Sequence, residues 1–282
     1  MAFNWLEVAL GVGLLGLCLF ELRDAEFRRG LYGDPRRIRR NLGFGLASVV
    51  AMVLLKRLNA TVEGTQVATL VDWHAFGPLQ VIPCFLIAEL LGWLLHYVKH
   101  RNAFLWKFHF QHHRESQYNI WLTAHTHALE VVVSGCILAL VLTLAGFSVV
   151  TIEIYLVYYG FMKAFQHSAH DYSLGRLDRV LVTPRYHRLH HEVNSVCNYA
   201  ITLTLFDVLF RTATWPPATS PASGVKYGVG ATDDVPFGFW KEMTYFLGWG
   251  QVRREETLPR MPSPGLLEDV AHIHSADGRE PH

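Results

Sequence analysis

The stretch from His96 to His191 contains 12 of the 16 histidines of this chain. Ten of them form four tight groups: His96 and His100; His109, His112 and His113; His167 and His170; His187, His190 and His191. Positions i, i+3 and i+4 of a helix lie on one face, so each group can present two or three imidazoles to one point. Because imidazole is a common ligand of transition metals, the spacing predicts a metal site with these ten histidines as candidate ligands.

The number of histidines indicates more than one metal ion. A single His–x–x–His pair is a weak signal, but two copies of His–x–x–His–His beside two further groups are much harder to obtain by chance. Zinc takes about four ligands, and ten imidazoles exceed what one such ion accepts. Two ions are therefore the economical interpretation. Imidazole suits iron, zinc, copper and nickel alike, so the ligand type does not select the metal.

Other polar residues could support the ligands. Glu89 lies in an apolar stretch, where an ionisable side chain is costly and indicates function. It precedes His96 by seven residues, so the two share a helical face, and we expect Glu89 to orient a ligand imidazole. The alternative is a carboxylate paired with another polar group of the helix bundle. His125 and His127 do not converge on a helix, so they are expected to be structural or to support the ligands.

The composition indicates the environment of these groups. Hydrophobic residues make up 51% of the chain and charged residues 17%, with a mean hydropathy of +0.18, which favours a membrane protein. A net charge of +1 gives no support for nucleic-acid binding. The four cysteines lack a Cys–x–x–Cys spacing, so neither a disulfide framework nor a ferredoxin-type iron–sulfur motif is predicted.

Apolar runs cover residues 1–20, 42–55, 75–95 and 128–165. The first run can cross a hydrocarbon layer of about 30 Å, and it lacks the positive start and cleavage site of a signal peptide, so we expect a retained helix. The last run has 38 residues, which predicts two helices that turn near Gly146. The expected fold is all-α: a polytopic membrane protein with about four to five transmembrane helices and a histidine-rich helical domain on the cytoplasmic side.

Seven arginines between residues 23 and 40 lie in a loop between two apolar runs, and by the positive-inside rule this loop is cytoplasmic. An even number of later crossings then brings all histidine groups to the cytoplasmic side. We divide the chain into N-terminal anchor helices (residues 1–74), a di-metal domain (75–215) and a partly disordered C-terminal tail (216–282). Within the tail, residues 236–250 are expected either at the membrane interface or against the domain.

The ordered set of motifs resembles the membrane-bound fatty acid hydroxylase and sterol desaturase superfamily. The matching text covers roughly residues 85–215. It reads His96-x-x-x-His100, Leu105-Trp106-x-x-His109-x-x-His112-His113, His127-Ala128-Leu129-Glu130, His167, Thr183-Pro184-x-x-His187-x-x-His190-His191, Asn198-Tyr199 and Phe206-Asp207-x-Leu209-Phe210. The resemblance implies a di-iron centre held by the histidines, which activates dioxygen to hydroxylate or desaturate a lipid such as a sterol or a fatty acyl chain. Asn198, like Glu89 and His127, is expected to support the ligands.

Electrons for such a reaction have to come from a partner, because the sequence shows no haem, flavin or iron–sulfur motif. We expect a separate ferredoxin or b-type cytochrome with its reductase. The competing interpretation is a histidine-rich membrane metal-binding or metal-transport protein. A transporter should place its ligands near the bilayer midplane, whereas nearly all the histidines here lie outside the apolar runs, which favours the enzyme.

Overall fold

The computed structural model describes residues 5–23, 28, 35–63, 70–193, 195–216, 226–229 and 238–247. This part of the chain is helical and contains no β-strand. Two isolated bridges join Leu181 to Leu203 and Glu192 to Tyr227. The predicted all-α class is confirmed.

The α-helices are named here in chain order. They are α1 (Trp5–Glu21), α2 (Pro35–Glu63), α3 (Val81–Arg101), α4 (Ala103–His113), α5 (Ala128–Ala145), α6 (Val149–Gln166), α7 (Pro184–His190), α8 (Leu205–Leu209) and α9 (Phe239–Met243). Short 3₁₀ helices lie at Trp73–Gln80, Ile120–Thr123, Gly175–Arg179 and Tyr245–Leu247.

Two helical stretches within the described residues are long and apolar enough to cross a membrane: Ala75–Arg101, with 27 residues, and Ala128–Ala145, with 18. The apolar helix Val8–Glu21 is shorter. Helix α2 covers the predicted run at residues 42–55, but it also carries the arginines before that run. The expected number of four to five crossings therefore stays a prediction.

The predicted turn near Gly146 is confirmed. Helix α5 ends at Ala145, and Gly146 adopts a left-handed conformation with φ of 99°, which glycine reaches without a steric penalty. Ser148 then caps α6, its side chain accepting from the backbone N–H of Thr151 at 3.2 Å. The two helices of the pair contact each other, so the chain returns toward the end of the bundle that it left.

A second turn folds α4 against α3. The helices are separated by Asn102, whose side chain accepts from the backbone N–H groups of Phe104 and Leu105 at 2.9 and 3.0 Å. This N-cap starts a new helix directly after the old one. As a result, the imidazole of His100 on α3 lies 4.7 Å, between ring centroids, from that of His113 on α4.

The N-terminal helices contact the histidine-bearing segments. Helix α1 packs on α6, and α2 packs on α5. At the end of α1, the buried carboxylate of Glu21 accepts from the hydroxyl of Ser168 and from the backbone N–H of Ala169 at 3.0 Å. In α2, the buried Arg40 forms an ion pair with Glu115, two residues beyond the last histidine of α4. The arginine-rich segment and the histidines therefore lie at the same end of the helices.

The C-terminal residues 238–247 pack against α4. The ring of Tyr245 lies 4.6 Å from that of Phe110, and Gln111 donates to the backbone carbonyl of Glu242 at 2.6 Å. Of the two positions considered for this segment, the structure shows contact with the histidine-rich domain. The remaining expectations for the tail, including its disorder from residue 251 onward, lie outside the described residues.

Candidate metal centre

Three pairs of histidines spaced by four residues define the centre. They are His96 and His100 on α3, His109 and His113 on α4, and His187 and His191 at the end of α7. In each pair both imidazoles turn toward the same site, as expected for positions one helical turn apart. The middle histidine of each His–x–x–His–His triplet, His112 or His190, points to the other site, since it is rotated around the helix from the pair.

The nine imidazoles therefore divide between two sites. The five-histidine site contains His96, His100, His109, His113 and His190, and the four-histidine site contains His112, His167, His187 and His191. Within each site the candidate ligand nitrogens lie within 4.8 Å of one another, and all nine residues are buried. Each triplet contributes to both sites.

The two sites adjoin each other. The rings of His113 and His191, which belong to different sites, stack with centroids 4.4 Å apart. His187 and His190 also stack across the boundary, at 5.2 Å. Two ions held here would share a single cavity lined by imidazole.

Backbone carbonyls fix which ring nitrogen is free. A carbonyl can only accept, so the imidazole nitrogen beside it must carry the proton. Nδ1 donates to Tyr199 from His96 at 2.9 Å and to Cys197 from His190 at 2.8 Å. In the neutral ring the opposite nitrogen, Nε2, then carries a lone pair that can bind a metal.

The same arrangement holds in the four-histidine site. Nδ1 of His112 donates to the carbonyl of Leu122 at 3.1 Å, and Nδ1 of His167 donates to that of Lys163 at 2.6 Å. Nε2 of His167 lies 3.2 Å from Nε2 of His112 and 3.2 Å from Nε2 of His187. Two lone pairs that face each other at this distance repel unless a cation lies between them. Nitrogens that share one ion at about 2.1 Å lie roughly 3 to 4 Å apart, so the spacing fits a metal.

Orphaned nitrogens in the five-histidine site give a second indication. Nε2 of His96, Nε2 of His109 and both ring nitrogens of His100 are buried and have no hydrogen-bond partner among the described residues. Buried polar groups are normally paired, because an unpaired one loses its interactions with water without replacement. Metal coordination would satisfy these atoms.

Burial keeps the imidazoles neutral. It is the largest cause of the lowered pKa values of five histidines in the two triplets: His109, His112, His113, His187 and His191. In most of these residues the neighbouring imidazoles lower the pKa further. Burial also lowers the pKa of His167 and His190 to about 3, against the opposing effect of their bonds to carbonyls. At pH 7 these rings are therefore unprotonated and able to bind a cation.

One imidazole has a carboxylate behind it instead of a carbonyl. Nδ1 of His109 donates to Oε1 of Glu130 at 3.0 Å, and the ammonium group of Lys99 lies 2.7 Å from the same oxygen. Glu130 is part of the motif His127-Ala128-Leu129-Glu130, but we expected no role for it from the sequence. A carboxylate in an apolar helix, three residues after His127, was the available signal.

Glu89 acts on the site through a loop. Its carboxylate accepts from the hydroxyls of Tyr155 and Thr202 at 3.1 and 2.6 Å, and from the backbone N–H groups of Thr202 and Leu203, both at 2.9 Å. The same loop contains the Tyr199 carbonyl that accepts from His96. Glu89 therefore holds the loop that orients a ligand, whereas we expected a direct bond to an imidazole.

Asn198 lies beside the two orienting carbonyls, those of Cys197 and Tyr199. It has a φ of 59°, a left-handed conformation that asparagine tolerates better than most residues. Its amide donates to the carbonyls of Tyr186 and Thr214, both at 2.9 Å. Asn198 thus fixes the turn that presents the carbonyls to His190 and His96.

Asp207, a residue to which we gave no role, holds the same loop. Its carboxylate accepts from the backbone N–H groups of Tyr199 and Ala200 at 2.9 and 2.8 Å. It also accepts from the Tyr186 hydroxyl at 3.0 Å and from the Trp93 indole at 2.9 Å. Asp207 therefore joins the loop to α7 and to α3.

His127 caps α5, accepting from the backbone N–H of Leu129 at 3.1 Å, and its Nε2 donates to the carbonyl of Met243 at 2.8 Å. It supports the helix that carries Glu130. Nε2 of His125 lies 2.7 Å from the side-chain oxygen of Asn41 in α2. Neither imidazole belongs to the two sites.

His170 does not join the other nine histidines. Helix α6 ends at Gln166, so the spacing between His167 and His170 does not put them on one helical face. The ring of His170 lies 4.9 Å from Phe20 and 5.9 Å from Tyr172. It therefore packs against the end of α1.

Residues 81–212 match the family model described as fatty acid hydroxylase. This matched region is just under half of the chain and is similar to the fatty acid hydroxylase family. The matched region includes all nine histidines of the two sites, together with Glu89, Glu130, Asn198 and Asp207. The resemblance found in the sequence is confirmed.

Proteins similar to this chain carry names of lipid enzymes. The chain is 26% identical over 207 residues to the ornithine lipid hydroxylase OlsE of Rhizobium tropici, covering 71% of the chain and 59% of that protein. It is 28% identical over 144 residues to the alkylglycerol monooxygenase of Caenorhabditis elegans, covering 48% and 27%. The human alkylglycerol monooxygenase is 29% identical over 134 residues, covering 45% and 29%. The chain thus spans less than two thirds of each relative. No solved structure matches it.

Proposed function

We propose that this chain is a membrane-bound, dioxygen-dependent hydroxylase of a lipid, with two iron ions held in the five-histidine and four-histidine sites. The observation that carries the proposal is the pair of adjoining sites, each with several neutral imidazoles aimed inward. The family match and the names of the relatives support lipid hydroxylation. Desaturation of the lipid is the alternative outcome of the same chemistry.

Bound iron supplies the redox chemistry needed to activate dioxygen. The protein provides neutral ligands, orients them and keeps the cavity dry. Tyr199 and Cys197 hold the rings of His96 and His190 through their carbonyls, and Glu130 holds His109. Burial of all nine imidazoles excludes water from the reaction.

The reaction needs a source of electrons. In hydroxylation one oxygen atom enters the C–H bond and the other leaves as water, which consumes two electrons and two protons. We assign the electrons to a separate ferredoxin or b-type cytochrome with its reductase. The arginine-rich segment, which contacts the histidine domain through Arg40 and Glu115, supports a cytoplasmic active site in a multi-pass membrane protein.

The substrate class can be tested with purified protein in lipid vesicles. Ornithine lipids and alkylglycerols are the first candidates, because the relatives' names refer to them. With iron, dioxygen and a reductant system, mass spectrometry is expected to show a gain of one oxygen, or a loss of two hydrogens if the enzyme desaturates. Turnover without any reductant would contradict the need for an electron donor. Metal flux across the vesicles with no change in lipid would support a transporter instead.

Metal analysis tests the site itself. We expect about two iron ions per chain and reduced occupancy in His167→Ala, which removes a ligand of the four-histidine site. His170→Ala is the comparison, since His170 packs against Phe20 outside both sites, and its iron content should equal that of the wild type. Full iron content in His167→Ala would contradict the assignment of the four-histidine site.

A further inference from the structure

The segment after the second histidine triplet runs alongside α3 toward the start of that helix. Tyr199 contacts His96 through its carbonyl, and Ile201 packs on Gly92 so closely that an added Cβ would lie 2.6 Å from Cγ1 of Ile201. Thr202 then donates to Glu89. These contacts pass seven residues back along α3, which is about 10 Å at 1.5 Å per residue.

The chain then returns toward its starting level. Asp207, in α8, accepts from the indole of Trp93, and the ring of Phe210 stacks on Trp93 with centroids 4.3 Å apart. The carbonyl of Thr212 finally accepts from the backbone N–H of Asn198 at 2.9 Å. Residues 198–212 thus form a closed excursion along α3, with its tip beside Glu89.

The tip lies at the depth of the apolar part of α3. Helix α3 belongs to the apolar stretch Ala75–Arg101, which is long enough to cross a membrane. Glu89 precedes Arg101, the charged end of this stretch, by about 18 Å along the helix axis. One leaflet contributes about 15 Å of hydrocarbon, so the tip reaches below the headgroups when α3 spans the bilayer.

The outer face of the excursion is apolar and exposed. Leu209 is 63% exposed and Val208 is 52% exposed. Leu205 at the start of α8 and Phe210 directly after it are also exposed. Beside them, Leu177 in the 3₁₀ helix Gly175–Arg179 and Val180 after it are exposed, next to the charged Arg176 and Asp178 of that helix. A contiguous apolar surface of this kind indicates contact with a membrane or another protein. Phe210 stacks on Trp93 of α3, and Leu90 and Leu94 of the same membrane-length stretch are exposed, which favours the membrane as the occupant.

The backbone of the excursion is suited to an environment without water. Irregular backbone is tolerated at membrane depth only when its polar groups are paired within the protein. Glu89 and Asp207 together accept from the backbone N–H groups of Tyr199, Ala200, Thr202 and Leu203. Thr204 donates its N–H to the carbonyl of Val180 at 2.9 Å. The carboxylates of Glu89 and Asp207 therefore accept the backbone hydrogen bonds that acyl chains cannot accept.

Two arginines lie close to the excursion, and neither is at its tip: Arg211 is exposed at the base, directly before Thr212, and Arg179 lies in the adjoining segment. The guanidinium of Arg179 lies 4.7 Å from the ring centroid of Trp215, although the Arg179 carbonyl accepts from Thr204 at 2.8 Å. Long basic side chains commonly reach from a buried backbone position toward headgroups in this way.

We infer that residues 198–212 form a re-entrant element that inserts into one leaflet beside α3, with Leu205, Val208, Leu209 and Phe210 in contact with acyl chains. The inference rests on the membrane-spanning role of α3, which is part of the proposed function. It assigns Glu89 a role in this element: the acid inside the span pairs with the backbone of a loop that enters the bilayer. The element also places acyl chains next to the loop that orients His96 and His190.

Site-specific photo-crosslinking tests this contact without depending on activity. A benzophenone amino acid replaces Leu209 in the full chain, reconstituted in vesicles of phosphatidylcholine and phosphatidylglycerol, and lipid adducts are quantified by mass spectrometry. Val208 provides a second position on the same face. Val133, which is 54% exposed on the apolar stretch Ala128–Ala145, is the reference for the bilayer, and the exposed Lys226 is the reference for water.

We expect adduct yields at Leu209 and Val208 comparable with that at Val133 and several-fold above that at Lys226. Yields as low as at Lys226, with a high yield at Val133, would overturn the re-entrant element and leave the membrane-spanning helices intact. A low yield at Val133 as well would overturn the membrane placement itself, and with it this part of the proposed function.

Discussion

Glu130 differs from the other groups that hold candidate ligands. The rings of His96, His112 and His190 donate to neutral carbonyls, whereas His109 donates to a carboxylate. A carboxylate behind a metal-bound imidazole increases the basicity of the ring and fixes its orientation. The five-histidine site therefore has one stronger electron donor that the four-histidine site lacks. We expect the two metal ions to be electronically distinct for this reason.

Replacing Glu130 by Gln tests this difference. The amide keeps the shape but loses the charge, so we expect metal affinity at the five-histidine site to fall by about 10- to 100-fold. Competition with a chelator measures the affinity, and the Mössbauer spectrum of the iron-loaded protein should show a change in one of two iron environments. The control is Glu153→Gln, the same acid-to-amide change on a different helix, α6. An unchanged affinity and spectrum in Glu130→Gln would refute this role.

At the scale of elements, the loop of residues 197–204 lies between α7 and α8 in the chain and contacts both α7 and α3. It provides the carbonyls that orient His190 and His96, which come from two different helices. Two buried carboxylates hold it, Asp207 near its start and Glu89 at its tip. The orientation of ligands on both helices therefore depends on this one loop.

Glu89→Gln is expected to loosen the loop. The carboxylate accepts four hydrogen bonds, and an amide nitrogen in its place would face donors from Thr202 and Leu203. A buried donor left unpaired costs about 1–3 kcal/mol, so the free energy of unfolding should fall by about that amount. Thermal unfolding in detergent measures the loss, and hydrogen exchange should increase at residues 199–204.

Tyr155→Phe is the graded comparison for this change, since it removes one donor and leaves the other three bonds of Glu89 in place. Its effect on stability should be smaller than that of Glu89→Gln. If Glu89→Gln left hydrogen exchange of the loop as slow as in the wild type, the proposed link between Glu89 and the loop would be incorrect.

At the scale of the whole molecule, the region that matches the family model, residues 81–212, is held by helices outside it. Glu21 at the end of α1 holds the turn that follows His167, and Arg40 in α2 pairs with Glu115 beyond α4. The C-terminal residues add Glu242, which pairs with Arg114 at 3.1 Å. Segments before and after the matched region thus contact the elements that carry the candidate ligands.

Metal removal should therefore destabilise the entire molecule. The inward nitrogens come from α3, α4, α7 and the turn after α6, so bound ions connect these elements, and the metal-free protein retains unpaired buried nitrogens. A ligand at a hundredfold excess over its Kd stabilises a protein by about 2.7 kcal/mol. Removing the metal should therefore lower Tm by at least about 5 °C. Thermal unfolding before and after chelation measures this decrease, and ferrous iron, but not magnesium, should restore Tm. An identical Tm in both states would contradict the presence of two occupied sites.

The sequence by itself determined the helical class, the turn at Gly146 and the ligand pairs, because these depend on local spacing. Histidines four residues apart share a face in any α-helix, and a glycine in the left-handed conformation commonly ends a helix. The histidine pairs on α3, α4 and α7 accordingly each face one site in the structure, and their role as metal ligands stays a prediction. The family resemblance was also available from the order of these motifs.

Only the tertiary structure decided how the histidines divide between two sites. His112 and His190 each join the site opposite to that of the pair in their own triplet. The packing angles between helices decide this, and the sequence spacing does not encode those angles. His170 lies outside both sites because α6 ends at Gln166, so His167 and His170 are not on a common helical face. Glu130 meets His109 across 21 positions of the chain, and Glu89 meets Thr202 across 113. Such contacts depend on how distant segments pack, which the local sequence pattern does not specify.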